Sequence, residues 1–96
     1  MDQQHTGRFE VQVEEDAPRG GLYQLEQRTW YRVVDRSSRQ VVMTFQGQVE
    51  ASLSPDSGMW EDSRGYGVRD VTIALDERSV LVWYYDGRKE MALLPP

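Results

Sequence analysis

Cysteine is absent from the chain, and histidine occurs once, at position 5. Without thiols there is no disulfide, no thiol nucleophile and no thiolate metal site. A histidine–cysteine zinc site lacks its ligands. A serine–histidine–aspartate triad lacks an oriented base, because His5 falls in a polar N-terminal stretch. Gly20-Gly21 and Gly65-Tyr66-Gly67 have neither the lysine nor the following helix that a phosphate-cradling loop requires. These absences lead us to expect no enzyme, no cofactor and no metal. Long apolar runs are also missing. The longest, Val80-Leu81-Val82-Trp83-Tyr84-Tyr85, is too short to cross a bilayer. No apolar stretch follows MDQQHTG, so we expect no secretory leader and a soluble, cytoplasmic protein without membrane attachment. Lysine is nearly absent: ten of the eleven cations are arginine, and Lys89 is the exception. Forked guanidinium groups suit interfaces, although arginine-rich codon usage is the plainer account. The formal net charge of −5 opposes general binding to nucleic-acid backbones.

What remains is a sheet-forming sequence. Its 96 residues, 39% hydrophobic, suffice for one core and one domain. Residues 1–7 read as a flexible tail and 8–96 as a single all-β domain. Period-two alternation runs through most of the chain, and no stretch has the spacing of an amphipathic helix. Residues 8–15 place Phe9, Val11 and Val13 on one side. Residues 41–53 place Val41, Met43, Phe45, Gly47, Val49, Ala51 and Leu53 on one side, with Gly47 marking a bend. Their partner, residues 22–35, has two registers. An even-numbered turn sets Trp30 opposite Phe45 and turns Arg32 inward. An odd-numbered turn points Tyr23, Leu25, Tyr31 and Val33 inward and Arg28, Trp30 and Arg32 outward. Burying unpaired arginines is costly, so the second register is expected.

In residues 68–94, a two-residue Asp86-Gly87 tip would pair Tyr85 with Arg88. A Glu77-Arg78 tip would pair Leu75 with Val80. Both put Val71, Ile73, Leu75, Val80, Val82, Tyr84, Met91 and Leu93 on one core face. The expected fold is therefore about six antiparallel strands, mostly a meander, curled into a small barrel or folded into a two-layer sandwich. Pro95 and Pro96 end the last strand.

Three regions are candidates for interaction. On the second face of the meander, Trp83, Tyr85 and Arg88 place aromatic rings inside a polar rim, the anatomy of an interface. Cover by another part of the chain is the alternative. Residues 54–67, SPDSGMWEDSRGYG, read as a long loop in which Trp60, Glu61, Asp62 and Tyr66 either plug the open end of the sheet or meet a partner. The third region is the strip Arg28, Trp30, Arg32, which can stack or dock acidic groups, or can be ordinary core and rim. Asp56, Glu61 and Asp62 lie close in sequence but do not match a calcium loop, and loop acids are usually only solvated. The expectation is a small, acidic, non-catalytic binding module acting on a protein partner or on a second copy of itself. The alternative is a ligand-binding barrel with the 54–67 loop at its mouth.

Overall fold

A computed structural model describes residues 7–96, excepting the side chains of residues 60–62. The tail expected at residues 1–7, His5 included, lies outside the described residues apart from Gly7. The strands are β1 (Phe9–Glu15), β2 (Gln24–Asp35), β3 (Gln40–Leu53), β4 (Trp60–Ile73), β5 (Ser79–Tyr84) and β6 (Lys89–Leu93). They form a single antiparallel meander of order β1-β2-β3-β4-β5-β6. β6 does not pair with β1, so the sheet is not closed into a barrel. No helix long and apolar enough to cross a membrane is present among the described residues.

The sheet folds over on itself within β4. The N-terminal part of β4 pairs with β3, ending at Gly47 opposite Gly67, and Val68 onward pairs with β5. At this crossing two backbones nearly touch. A Cβ on Gly47 would lie 1.9 Å from the Val68 carbonyl oxygen. Gly67 adopts φ +68°, a left-handed conformation that favours glycine. A bulge at Arg69 follows, which is how strands turn corners between layers.

Folding at this corner encloses one core between β1–β2 and β4–β5. Phe9, Val33, Val80 and Val82 are almost wholly buried, joined by Tyr31, Val68, Val71 and Leu94. Burial of each such side chain contributes about 1.5–3 kcal/mol. The Tyr31 hydroxyl donates to the Arg69 carbonyl at 2.8 Å, so a buried polar group is satisfied by the bulge itself. Desolvation raises the Tyr31 phenol above its ordinary pKa, with smaller contributions from Tyr85, Asp70 and Glu15.

The β2–β3 register agrees with the expected one, by an unexpected route. The turn has an even-numbered tip, with Asp35 opposite Gln40. A bulge between Val33 and Val34 then shifts the pairing, so that Tyr31 faces Phe45 and Arg28, Trp30 and Arg32 point outward. The same bulge leaves Val41 exposed, against the expectation that it lines the core.

Three readings of the chain are corrected. Residues 54–67 are not one long loop: only 54–59 connect the strands, and Trp60 already pairs with Leu53. Their glycines and polar residues have low strand propensity, but the register with β3 supplies partners for the backbone. In the β5–β6 turn the Tyr84 N–H donates to the Arg88 carbonyl at 2.9 Å, and Gly87 has φ +92°. The tip is thus Tyr85-Asp86-Gly87, one residue longer than expected. That single residue turns β6 over, burying Leu94 and exposing Met91 and Leu93. In the β4–β5 turn the slip is two residues, with Ile73 opposite Val80. An even slip preserves the face, so Val71, Ile73, Val80 and Val82 stay inward while Leu75 falls in the turn, fully exposed.

A buried carboxylate ties the ends of the chain together. Arg8 Nε and Nη2 donate to Asp35 Oδ2 at 3.1 and 2.9 Å, while the Ser37 N–H and Oγ donate to Oδ1 at 3.0 and 2.7 Å. Arg8 Nη1 also donates to the carbonyl of Pro96 at 3.1 Å. The hydrogen bonds from Arg8, then those from Ser37, hold the Asp35 carboxyl far below the usual carboxylate range.

Two expected outcomes follow from this architecture. Gly47→Ala should lower stability by about 2 kcal/mol through backbone overpacking, whereas Gly21→Ala, with nothing within 4 Å of the new Cβ, should stay within about 0.5 kcal/mol. Urea unfolding distinguishes the two variants, and equal midpoints would contradict the crossing. The folded-state pKa of Asp35 lies below its unfolded value of about 3.9, so its stabilisation is complete above that value and is lost progressively as pH falls from there through the lower folded-state pKa. Wild type should therefore lose stability below about pH 5 more steeply than Asp35→Asn. Parallel pH profiles would show that the carboxylate does not carry the effect.

Candidate functional site

Among the described strand residues, the two most exposed large apolar side chains, Leu93 and Met91, lie on the outer face of the β5–β6 hairpin. Alternation along β5 sends Val80 and Val82 inward and Leu81 and Trp83 outward. Across the hairpin, Leu81 faces Met91, Trp83 faces Lys89 and Ser79 faces Leu93. Met91 is 65% exposed and Leu93 76%, whereas Leu81 and Trp83 are half-buried. Asp70 lies opposite Trp83 on the other side. The result is a strip of Leu81, Trp83, Met91 and Leu93 bordered by one acid and the only lysine.

Two residues expected beside Trp83 are elsewhere. Tyr85 belongs to the turn: its N–H donates to the Gly67 carbonyl at 3.1 Å, and its ring occupies the space that a Gly65 side chain would fill. Arg88 is held locally. Its Nε lies 2.7 Å from Asp86 Oδ2, and its guanidinium sits 4.5 Å from the centroid of the Tyr84 ring. The Tyr84 hydroxyl donates to Glu90 Oε1 at 2.5 Å, and this bond raises the phenol above its ordinary pKa. Hydrogen bonding between Arg88 and Asp86 lowers the Asp86 pKa and raises that of Arg88. Met91 and Leu93 were missed as surface residues because the two-residue tip assigned them to the core. The glycine after Tyr85-Asp86 suits a three-residue tip equally well, and that was the available signal.

The second candidate surface is the outer face of β2. Arg28, Trp30 and Arg32 lie there in a row, with Gln48, Gln46 and Thr44 of β3 beside them. Tyr66, exposed, extends the same face from its position opposite Gln48. Little of this charge is unengaged. Arg32 Nη1 is 2.6 Å from Glu14 Oε1, and its guanidinium lies 5.9 Å from the Trp30 ring centroid. Trp30 Nε1 donates to Asp16 Oδ2 at 3.3 Å. Arg28 Nη2 approaches Glu26 Oε1 at 3.9 Å, while its buried Nε has no hydrogen-bond partner.

Trp60, Glu61 and Asp62 have a described backbone, at the start of β4, but their side chains lie outside the described residues. The proposed plug, and the grouping of Glu61 and Asp62 with Asp56, fall with them. Among the described residues no three acidic or histidine side chains are grouped to hold a metal ion. The barrel mouth expected at residues 54–67 is absent, since the sheet is open and most of that segment is strand. A groove of about 240 Å³ lies between Arg19, Leu25, Glu26, Glu50 and Ser52, and a cleft of about 420 Å³ between Arg8, Phe9, Leu94 and Pro95. Neither is lined by any of residues 54–67.

The β2 face yields a direct expectation. Because Arg32 and Trp30 are engaged by Glu14 and Asp16, wild type should not be retained by a single-stranded oligonucleotide at about 0.15 M salt. Fluorescence anisotropy with labelled oligothymidine measures this. Glu14→Gln should gain weak, salt-sensitive binding, and strong binding by wild type would show that the strip is open. No protein family, curated protein or solved structure matches the chain.

Proposed function

We infer that the protein is a small, non-catalytic binding module that recognises another protein at the outer face of β5–β6 and the free edge of β6. The observation that carries this reading is an exposed apolar edge strand. β6 pairs with β5 on one side and, among the described residues, has no strand on the other. Edge strands with bare ladder groups are templates for further pairing and are normally blunted by charge, bulges or cover. Here Lys89 and Glu90 are the charged residues, and Met91 and Leu93 remain exposed.

Ladder geometry supports the same reading. Tyr84 pairs with Arg88 and Arg78 with Leu94 through the bonds Tyr84 N–H to Arg88 O and Leu94 N–H to Arg78 O. Alternation then turns the N–H and C=O groups of Lys89, Met91 and Leu93 away from β5. The groups free to pair belong to the residues whose side chains form the apolar strip. Main-chain bonding and side-chain burial would therefore act together, which is the mode of β-strand addition. Trp83, half-buried beside the strip and flanked by Asp70 and Lys89, supplies the aromatic anchor that interfaces favour. A cytoplasmic setting is part of the proposal and suits a chain without cysteine.

A photoreactive amino acid at position 91 or 93, introduced in the cells that make the protein, tests this. Discrete protein adducts are expected there, lost on Trp83→Ser and absent when the probe sits at Ser38 in the β2–β3 turn. No adduct at either strand position would sink the reading.

A further inference from the structure

Strand addition at β6 leaves open what adds. We propose that the occupant is β6 of a second copy, paired antiparallel about a two-fold axis through Met91. This rests on the reading of β6 as a recognition edge and names its partner.

The argument comes from which self-pairings the edge permits. Only Lys89, Met91 and Leu93 offer outward ladder groups, so two copies can meet in a handful of registers. Placing the axis at Lys89 sets the two lysines directly opposite each other. Placing it at Glu90 does the same with the two glutamates. Like charges directly opposite on paired strands are destabilising. Placing it at Ala92 sets Lys89 opposite Pro95 of the second copy, which has no N–H to donate. The register centred on Met91 avoids all three faults. Met91 then faces Met91, Lys89 faces Leu93 and Glu90 faces Ala92. All three outward residues of each copy pair, giving about six hydrogen bonds.

Side chains agree with that register. Residues of equal parity stay on one side of a continuous sheet, so the strips of Leu81, Trp83, Met91 and Leu93 in the two copies become contiguous. The alkyl stem of Lys89 covers Leu93 of the second copy while its ammonium stays in water. Glu90 meets only the small Ala92 and keeps its bond to Tyr84. The other edge offers no such match: β1 carries Glu10, Glu14 and Glu15, so two copies meeting there would bring acids together. A two-fold β6 contact also closes on itself, whereas β6 against β1 of another copy would propagate without end. Five-residue strands make a small interface, so the dimer is transient and concentration-dependent.

The absence of cysteine makes the test clean. At a hydrogen-bonded antiparallel pair the Cα atoms lie about 5.5 Å apart, within the roughly 4.4–6.8 Å that a disulfide spans. Purified Met91→Cys should oxidise to a covalent dimer several-fold faster than Glu90→Cys or Ala92→Cys, all three being single-cysteine chains. Light scattering on wild type should rise from 11.2 kDa toward twice that mass with concentration. Met91→Pro, which removes an outward donor and leaves the β5 ladder intact, should stay monomeric yet folded by circular dichroism. Faster crosslinking at position 90 or 92 overturns the register. A wild-type monomer at every concentration overturns self-pairing. In that case, photoadducts at positions 91 and 93 with a different protein would preserve the broader binding reading, and their absence would remove both.

Discussion

The structure depends on the passage of one backbone over another at Gly47 and Gly67. No side chain fits between Gly47 and the Val68 carbonyl, and Gly67 turns through a left-handed conformation as it leaves β3. Without that crossing β4 would continue beside β3, and Val71, Val80 and Val82 would have nothing to pack against. With it, a meander with one apolar side becomes two layers around one core. The Arg69 bulge and its bond from the Tyr31 hydroxyl hold the corner, and the Arg8–Asp35–Pro96 contacts fasten the far end.

The proposed recognition surface depends on a smaller event, the length of one turn. With Gly87 in a left-handed position the β5–β6 tip takes three residues. Leu94 enters the core, and Met91 and Leu93 turn to solvent. The apolar strip is the other face of the choice that buries Leu94. The same turn gathers Tyr84, Asp86, Arg88 and Glu90 into a local cluster, which keeps Arg88 from the rim of the strip. Strip and edge coincide because β6 is the last strand of an open sheet.

The two candidate faces differ in how fully the chain satisfies itself. On the β2 face, the Arg32 guanidinium and the Trp30 indole N–H find partners within the protein, in Glu14 and Asp16. On the β6 edge, backbone groups and apolar side chains find none among the described residues. That difference is why we propose recognition at β6, although the β2 face carries more arginine.

Alternation along the chain was enough to establish six antiparallel strands and a meander, because a period of two is imposed by the backbone whatever the tertiary context. The cost of burying Arg28 and Arg32 sufficed to choose the correct register for most of β2. The extent of β4 was not legible, because Ser63, Gly65 and Gly67 become strand only when β3 supplies partners. Nor was the facing of β6, since Asp86-Gly87 suits two tip lengths that differ in parity. Leu94 decided between them by fitting a core that exists only after β4 has crossed β3. Local chemistry determined which segments extend. Packing across the corner determined which of their faces were buried, and so which one stayed exposed.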